Sequence, residues 1–464
     1  MALPLFALAL ASCGGAGGSR AAPVMPNRGA LAGPAAAGGD DWVTFAHDQA
    51  RSGFESAPTG IDRTTVATLK LRWSVNIREA VYASPIVTDG HVYVASDVGT
   101  VYAFDVADGR LAWKLNVGAS IRSTPAAFDG LVFAAVYGVP VVNGTPPRGA
   151  SVVALDHVTG KTVWTAGPPN SGGVGLIRSD PVVLHGVVYQ GLAGGDAYTG
   201  CVNGGIMTFN ETSGTMVYPF WQTNAAPSGG GGVWSPLSTN GTNLFAGTGN
   251  LCGANEGTGF GDAAVSLNLA LTPNWVLHTF DPSGSDEDVG SGVNVANRLA
   301  YVVGKNGLLY ALEPGTGSIA WTYDFKPYRR GAGGIGTPTG DGTMIMASGG
   351  KMTAATPPGC TIGAFDLAGN PLYMLHSSNE VVGSAAFLPG IGFLGLDRAL
   401  IAFDSRTGAT LWTSGDLGDT MYASPAVVQS GVYAVTFGGK LMAFSPNAAL
   451  PSSFRRVDTP RGNR

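Results

Sequence analysis

The stretch Ala103-Phe104-Asp105-Val106-Ala107-Asp108-Gly109-Arg110-Leu111-Ala112-Trp113 decides the fold, because its pattern returns along the whole chain. Reduced to Ala-x-Asp, three residues, Gly, three residues, Trp, it is intact at Ala154–Trp164 and Ala402–Trp412. Ala311–Trp321 differs only by Glu313 in place of Asp. Weaker copies run Thr208–Tyr218, Ser266–Trp275 and Ala364–Tyr373, the last two one residue short. An eighth copy begins at Ala443-Phe444-Ser445 and stops before any Trp. Copies start roughly 40 to 60 residues apart, the length of a four-stranded propeller blade. Each reads as two outer strands joined by an Asp-x-x-x-Gly turn, with the aromatic wedged between neighbouring blades.

The missing Trp stands at the other end of the chain, in Leu71-Arg72-Trp73-Ser74. An N-terminal strand that completes the last blade would close the ring and remove two exposed sheet edges. The expected architecture is therefore all-β: an eight-bladed β-propeller of four-stranded antiparallel blades over residues 41–446. A second recurring element precedes each outer pair and marks the innermost strand. It begins Ala83-Ser84-Pro85, Ser123-Thr124-Pro125, Ser179-Asp180-Pro181, Trp234-Ser235-Pro236, Ser291-Gly292-Val293, Gly336-Thr337-Pro338, Gly383-Ser384-Ala385 and Ala423-Ser424-Pro425. Small residues suit a crowded channel mouth, and Trp234 is the exception among the first positions.

Composition agrees with many short buried strands and tight turns. Of 464 residues 71 are glycine, 45% are hydrophobic and only 12% are charged. A net charge of −5 argues against a nucleic-acid partner, which would demand a basic face. At the N-terminus an apolar run too short to span a bilayer ends in Leu10-Ala11-Ser12-Cys13. Residues 1–13 resemble a lipoprotein signal peptide with Cys13 as the acylated residue; the alternative is an ordinary secretory signal. Residues 14–40, rich in Gly, Ala and Pro, read as a flexible tether, and 447–464 as a disordered tail. The expected location is exported, on the periplasmic or extracellular face, with membrane contact through the lipid alone. Export permits a disulfide, for which Cys201 and Cys252 are the preferred pair over Cys360.

Several polar residues gather at the mouth end of the ring. Arg122 and Arg178 directly precede the inner strands of adjacent blades, where they either bind a polyanion or form rim salt bridges. Asp196, Asn250 and Asp262 lie beside glycines on blade loops, as turn formers or as hard-oxygen ligands of the kind Ca²⁺ takes. Lys305 occupies a Lys-Asn-Gly turn.

Four segments resemble the pyrroloquinoline quinone (PQQ) alcohol dehydrogenases, including their polyvinyl-alcohol dehydrogenase branch. They are Asp41-Trp42-x-x-Phe45-x-His47-Asp48-x-x-Arg51-Ser52-Gly53, then Gly232-Val233-Trp234-Ser235 with Gly247-Thr248-Gly249-Asn250, and Asp262-Ala263-Ala264-Val265-Ser266-Leu267. The resemblance implies that Trp234 stacks under the quinone and that Lys305 donates to a quinone oxygen, with Arg122 and Arg178, from their place on the rim, as further cofactor-binding candidates. It also implies that Asp196, Asn250 and Asp262 hold Ca²⁺, with Asp262 as the catalytic base toward an alcohol or polymer substrate. Two family features are absent: adjacent cysteines, in whose place Ile121-Arg122-Ser123 stands, and a Cys-x-x-Cys-His haem site. Electrons would then pass to an external acceptor such as a cytochrome. A non-catalytic propeller lipoprotein acting as an assembly scaffold, and a polymer-binding surface protein, are the competing readings.

Overall fold

The repeat motif works because each of its residues solves a different packing problem. In a computed structural model, which describes residues 41–138, 149–168, 175–193, 202–223, 229–252, 259–279, 288–325, 334–352, 359–378 and 381–446, the strands form eight antiparallel sheets, one per repeat. These are the blades of an eight-bladed β-propeller. The first is Ile86–Thr88, His91–Ala95, Thr100–Asp105 and Leu111–Asn116, in that order from the centre outward. Six sheets carry four described strands. In the fifth and sixth the inner strand shrinks to single bridges, Asn294 with Tyr301 and Thr339 with Met346.

The motif's Ala lies directly opposite its aromatic on the neighbouring strand: Ala103 with Trp113, Ala154 with Trp164, Ala311 with Trp321, Ala364 with Tyr373, Ala402 with Trp412. A small side chain there leaves room for the ring, and a bulge follows each of these pairs. The Asp or Asn carboxyl or amide oxygen accepts from turn amides, as Asp105 does from Ala107 N at 2.9 Å and Asp156 from Thr159 N at 2.7 Å. The turn glycine has a left-handed φ, +71° at Gly109. It also lies flat beneath the previous blade's ring, since a Cβ there would fall 2.7 Å from Trp73. Each indole then donates to a carbonyl of the next blade: Trp73 to Val106 (3.0 Å), Trp113 to His157 (2.9 Å), Trp164 to Glu211 (2.8 Å), Trp275 to Pro314 (2.9 Å), Trp321 to Leu367 (3.1 Å). The aromatic is thus both wedge and hydrogen-bonded latch between blades.

Ring closure follows the expected route. Lys70–Asn76 pairs with Lys440–Ser445, placing Trp73 opposite Ala443, so the first strand supplies what the last repeat lacks. At the inner-strand entries, small hydroxyls tie blades together. Ser384 N donates to Ser424 Oγ (2.8 Å), Ser424 N to Ser84 Oγ (2.9 Å), Ser84 N to Thr124 Oγ1 (3.1 Å), and Thr124 N to the carboxylate of Asp180.

The segment from Asp41 to Glu55 forms a belt across the inner strands. Trp42 exchanges backbone bonds with Val87; Val43 O accepts from Ala127, Gln49 O from Thr239, Ala50 O from Val295, Ser52 O from Gly340 and Gly53 O from Phe387. The Gln49 side chain bonds both backbone groups of Val183. Blades one to seven are each met three or four residues beyond their hydroxyl position, roughly 10 Å further along the inner strand. Arg51 anchors the belt. Fully buried, it donates to Leu237 O, Thr44 Oγ1, Phe45 O and Pro181 O, and it faces Asp180 electrostatically.

Candidate functional site

Trp234 stands at the mouth end of the fourth blade, two residues before Pro236, and is partly exposed. Glycines make its slot. A Cβ on Gly290 would lie 2.2 Å from the ring and one on Gly249 3.2 Å from Nε1. Two cations lie over the indole: Lys305 Nζ at 5.0 Å and the Arg178 guanidinium at 6.0 Å from ring centroids. The indole N–H donates to Asp288 Oδ2 at 3.0 Å, and Lys305 Nζ pairs with Asp288 Oδ1 at 2.5 Å. Lys305 N also donates to Asp288 O (3.0 Å) within the fifth blade, and the Trp234 bond to Asp288 joins the fourth blade to it. Asp288, Lys305 and Trp234 thus form one charge-paired, hydrogen-bonded group around an indole face.

Beside it, Asn250 Nδ2 donates to Asp262 Oδ1 at 3.0 Å. Asp262 is fully buried with φ of +49°, its N–H donating to Gly249 O and its carbonyl accepting from Thr279. The structure therefore brings together Trp234, Lys305 and Arg178 in one group, and Asn250 with Asp262 in another. Arg122 sits elsewhere on the rim. Its Nε bonds Asp97 at 2.7 Å and its guanidinium lies near the rings of Tyr137 (4.4 Å) and Tyr82 (5.4 Å). Asp196 and Cys13 lie outside the described residues, as does Cys201. Cys252 is disulfide-bonded, whereas Cys360 is a buried thiol sharing a hydrogen bond with Ser348 Oγ at 3.1 Å.

Sequence reasoning passed over Asp288. Its signal was present in Asp286-Glu287-Asp288, an acidic run ending three residues before the fifth inner-strand entry at Ser291. Asp180 was read only as part of an inner-strand motif. Its carboxyl, completely enclosed, is pushed up to about 7 by burial, against the pull of Arg51 and the Thr124 amide.

An eight-bladed ring with a charged aromatic site at the mouth of its central channel is the class that fold and site define. The family described as outer membrane protein assembly factor BamB, built of PQQ_2 repeats, matches residues 60–217 and 275–448, and the chain belongs to it. Among similar proteins, quinoprotein alcohol dehydrogenase PedH of Pseudomonas putida is 25% identical over 295 residues, 52% of this chain and 48% of that protein. Quinohemoprotein alcohol dehydrogenase of Comamonas testosteroni is 28% identical over 299 residues, 62% of this chain and 39% of that protein. The chain spans less than half the length of these relatives. In fold it is similar to the Comamonas testosteroni quinohemoprotein alcohol dehydrogenase structure (TM-score 0.74, 16% identity, 90% of this chain and 82% of that one). It is also similar to BamB from Moraxella catarrhalis (TM-score 0.56, 14% identity, 81% and 97%).

Proposed function

We propose that the chain is an exported quinoprotein-type dehydrogenase that oxidises alcohol groups with PQQ and Ca²⁺ and passes electrons to an external acceptor such as a cytochrome. The observation that carries this reading is the grouping of Trp234, Asp288, Lys305 and Arg178 at the channel mouth. Relatives named as alcohol dehydrogenases support it. The residues suit the groups concerned. A half-open indole with two cations over it fits a planar polyanion, and glycines at 249 and 290 keep its slot clear. Asn250 and Asp262, with Asp196, offer the oxygen donors a hard cation takes. When bound, PQQ would supply the two-electron acceptor and Ca²⁺ a Lewis acid.

In this reading Trp234 is the floor of the pocket and Lys305 and Arg178 orient anionic groups above it. Asp288 takes the hydroxyl proton of the alcohol, one oxygen steered by the Trp234 N–H and the other charge-paired with Lys305. We assign this step to Asp288, beside the indole, and leave the Asp262 carboxylate, which accepts from Asn250 Nδ2, to the metal side. Lipid attachment at Cys13 belongs to the same proposal and would be lost, as labelled palmitate incorporation, in Cys13→Ser.

The deciding experiment is a PQQ titration with and without Ca²⁺, read by Trp fluorescence quenching. Saturable, Ca²⁺-dependent quenching that Trp234→Phe weakens supports the reading. No quenching at micromolar PQQ overturns it. The family's description favours a second reading, an assembly scaffold at a membrane. That reading gains if Asp288→Asn and Trp234→Ala leave every phenotype intact while substitutions on exposed loops abolish partner capture.

A further inference from the structure

The face of the ring away from the mouth, where each inner strand turns back, carries a contact repeated between blades. In the first blade this turn holds Asp89 and in the second Asp129, both with a left-handed φ (+51° and +46°). Such a residue meets the side chain that follows the motif's Asp or Asn in the next blade. Asp89 Oδ2 lies 2.9 Å from His157 Nδ1 across the seam of the first and second blades. Asp341 Oδ2 accepts from Ser405 Oγ at 2.7 Å across the seam of the sixth and seventh. At both seams the carboxylate faces a group able to donate.

The equivalent contact between the second and third blades brings two acids together. Glu211 takes the place of His157. Its N–H donates to Gly186 O in its own blade's inner turn (2.9 Å), as His157 N does to Gly130 O (3.1 Å). Its carbonyl accepts from the previous blade's indole, Trp164 at 2.8 Å, as His157 O accepts from Trp113 at 2.9 Å. The same register sets Glu211 toward Asp129, and the two carboxyls interact. Glu211 is only 5% exposed, and its Oε1 has no hydrogen-bond partner among the described residues. Burial, and after it Asp129, pushes the Glu211 carboxyl up to about 7. A carboxylate withdrawn from water needs a donor or a counter-charge, and the described residues around this one supply neither to Oε1. Asp129 stays open to solvent, so an ion can enter this seam with part of its water shell. Hard divalent cations take carboxylates and waters together in that way.

We propose that Asp129 and Glu211 hold a hard divalent cation of the Ca²⁺ class, which staples the second blade to the third. The site lies on the opposite face from Trp234 and stands whether or not the chain oxidises alcohols. The test is terbium luminescence excited through tryptophan, because the Trp164 indole is bonded to Glu211 itself. Tb³⁺ is titrated into the full chain without PQQ. A signal is expected that saturates below about a millimolar, falls as Ca²⁺ is added and persists in Trp234→Phe. Glu211→Gln and Asp129→Asn should each raise the half-saturating Tb³⁺ concentration by about tenfold or more. Luminescence that neither substitution shifts overturns the seam site, and so does its absence from the unaltered protein. A signal that both leave unchanged but Trp234→Phe removes belongs to the channel mouth, which separates failure of this site from failure of the alcohol-oxidising reading.

Discussion

Trp73 and Ala443 face each other across the eighth blade, one from the first strand of the chain and one from the last, and the indole continues onto the turn at Gly109 in the first blade. That single ring therefore closes the circle twice, within a sheet and between sheets.

Removing it should be costly for its exposure. Trp73→Ala is expected to lower stability by about 2–3 kcal/mol in urea unfolding. Gly109→Ala should cost at least about 1 kcal/mol, from its left-handed φ and the ring lying against it. In the double variant the second penalty should shrink, because the colliding ring is gone; strict additivity would contradict the latch.

Arg51 and Asp180 form an enclosed charge pair that ties the belt to the third blade. Arg51→Met strands Asp180 and deprives five acceptors of their donor. A loss of about 3–5 kcal/mol is expected, with partial recovery in Arg51→Met/Asp180→Asn measured by the same unfolding curves.

The belt also carries a pH dependence. Burial alone would push the His47 imidazole down, but Asp48 and Glu55, at 3.4 and 3.5 Å, hold it at about 9. A group raised in the folded state contributes stability that is complete below its unfolded value of 6.5 and is lost as pH rises through 9. Asp180, raised to about 7, acts with the same sign over a lower window, stability falling as pH climbs from about 4 to 7. The melting temperature should thus decline between pH 7 and 9, and His47→Gln should flatten that decline. A slope unchanged by the substitution would remove His47 from the account.

At the site, Asp288→Asn is expected to abolish dye-linked alcohol oxidation by about 10²–10⁴-fold while PQQ quenching persists. Asp262→Asn should instead raise the Ca²⁺ concentration needed for quenching. The reverse pattern would return the proton-accepting role to Asp262.

Much of this molecule was legible because the repeats print the same physics many times. Ala opposite Trp, Asp over a turn and Gly under a ring are local constraints, so eight worn copies still announce eight blades, and the orphaned Trp73 announces the closure. The site was legible where a residue broke its column, as Trp234 does among small first positions. Asp288 was not, because its partners Trp234 and Lys305 come from other segments and only the folded ring brings them to within 3.0 and 2.5 Å. Nor was the belt, most of whose bonds run through backbone groups that carry no side-chain signature, with the third blade reached through the Gln49 and Arg51 side chains.

That belt has a consequence for how the chain is made. Asp41 to Glu55 leaves the ribosome before any blade exists, yet its last backbone bonds go to Phe387 in the seventh. A segment synthesised ahead of every blade is among the last to be satisfied, and the strand after it waits for the eighth blade. A nascent chain cannot bank its structure blade by blade; it holds open edges until nearly complete and then settles the whole ring in one cooperative event.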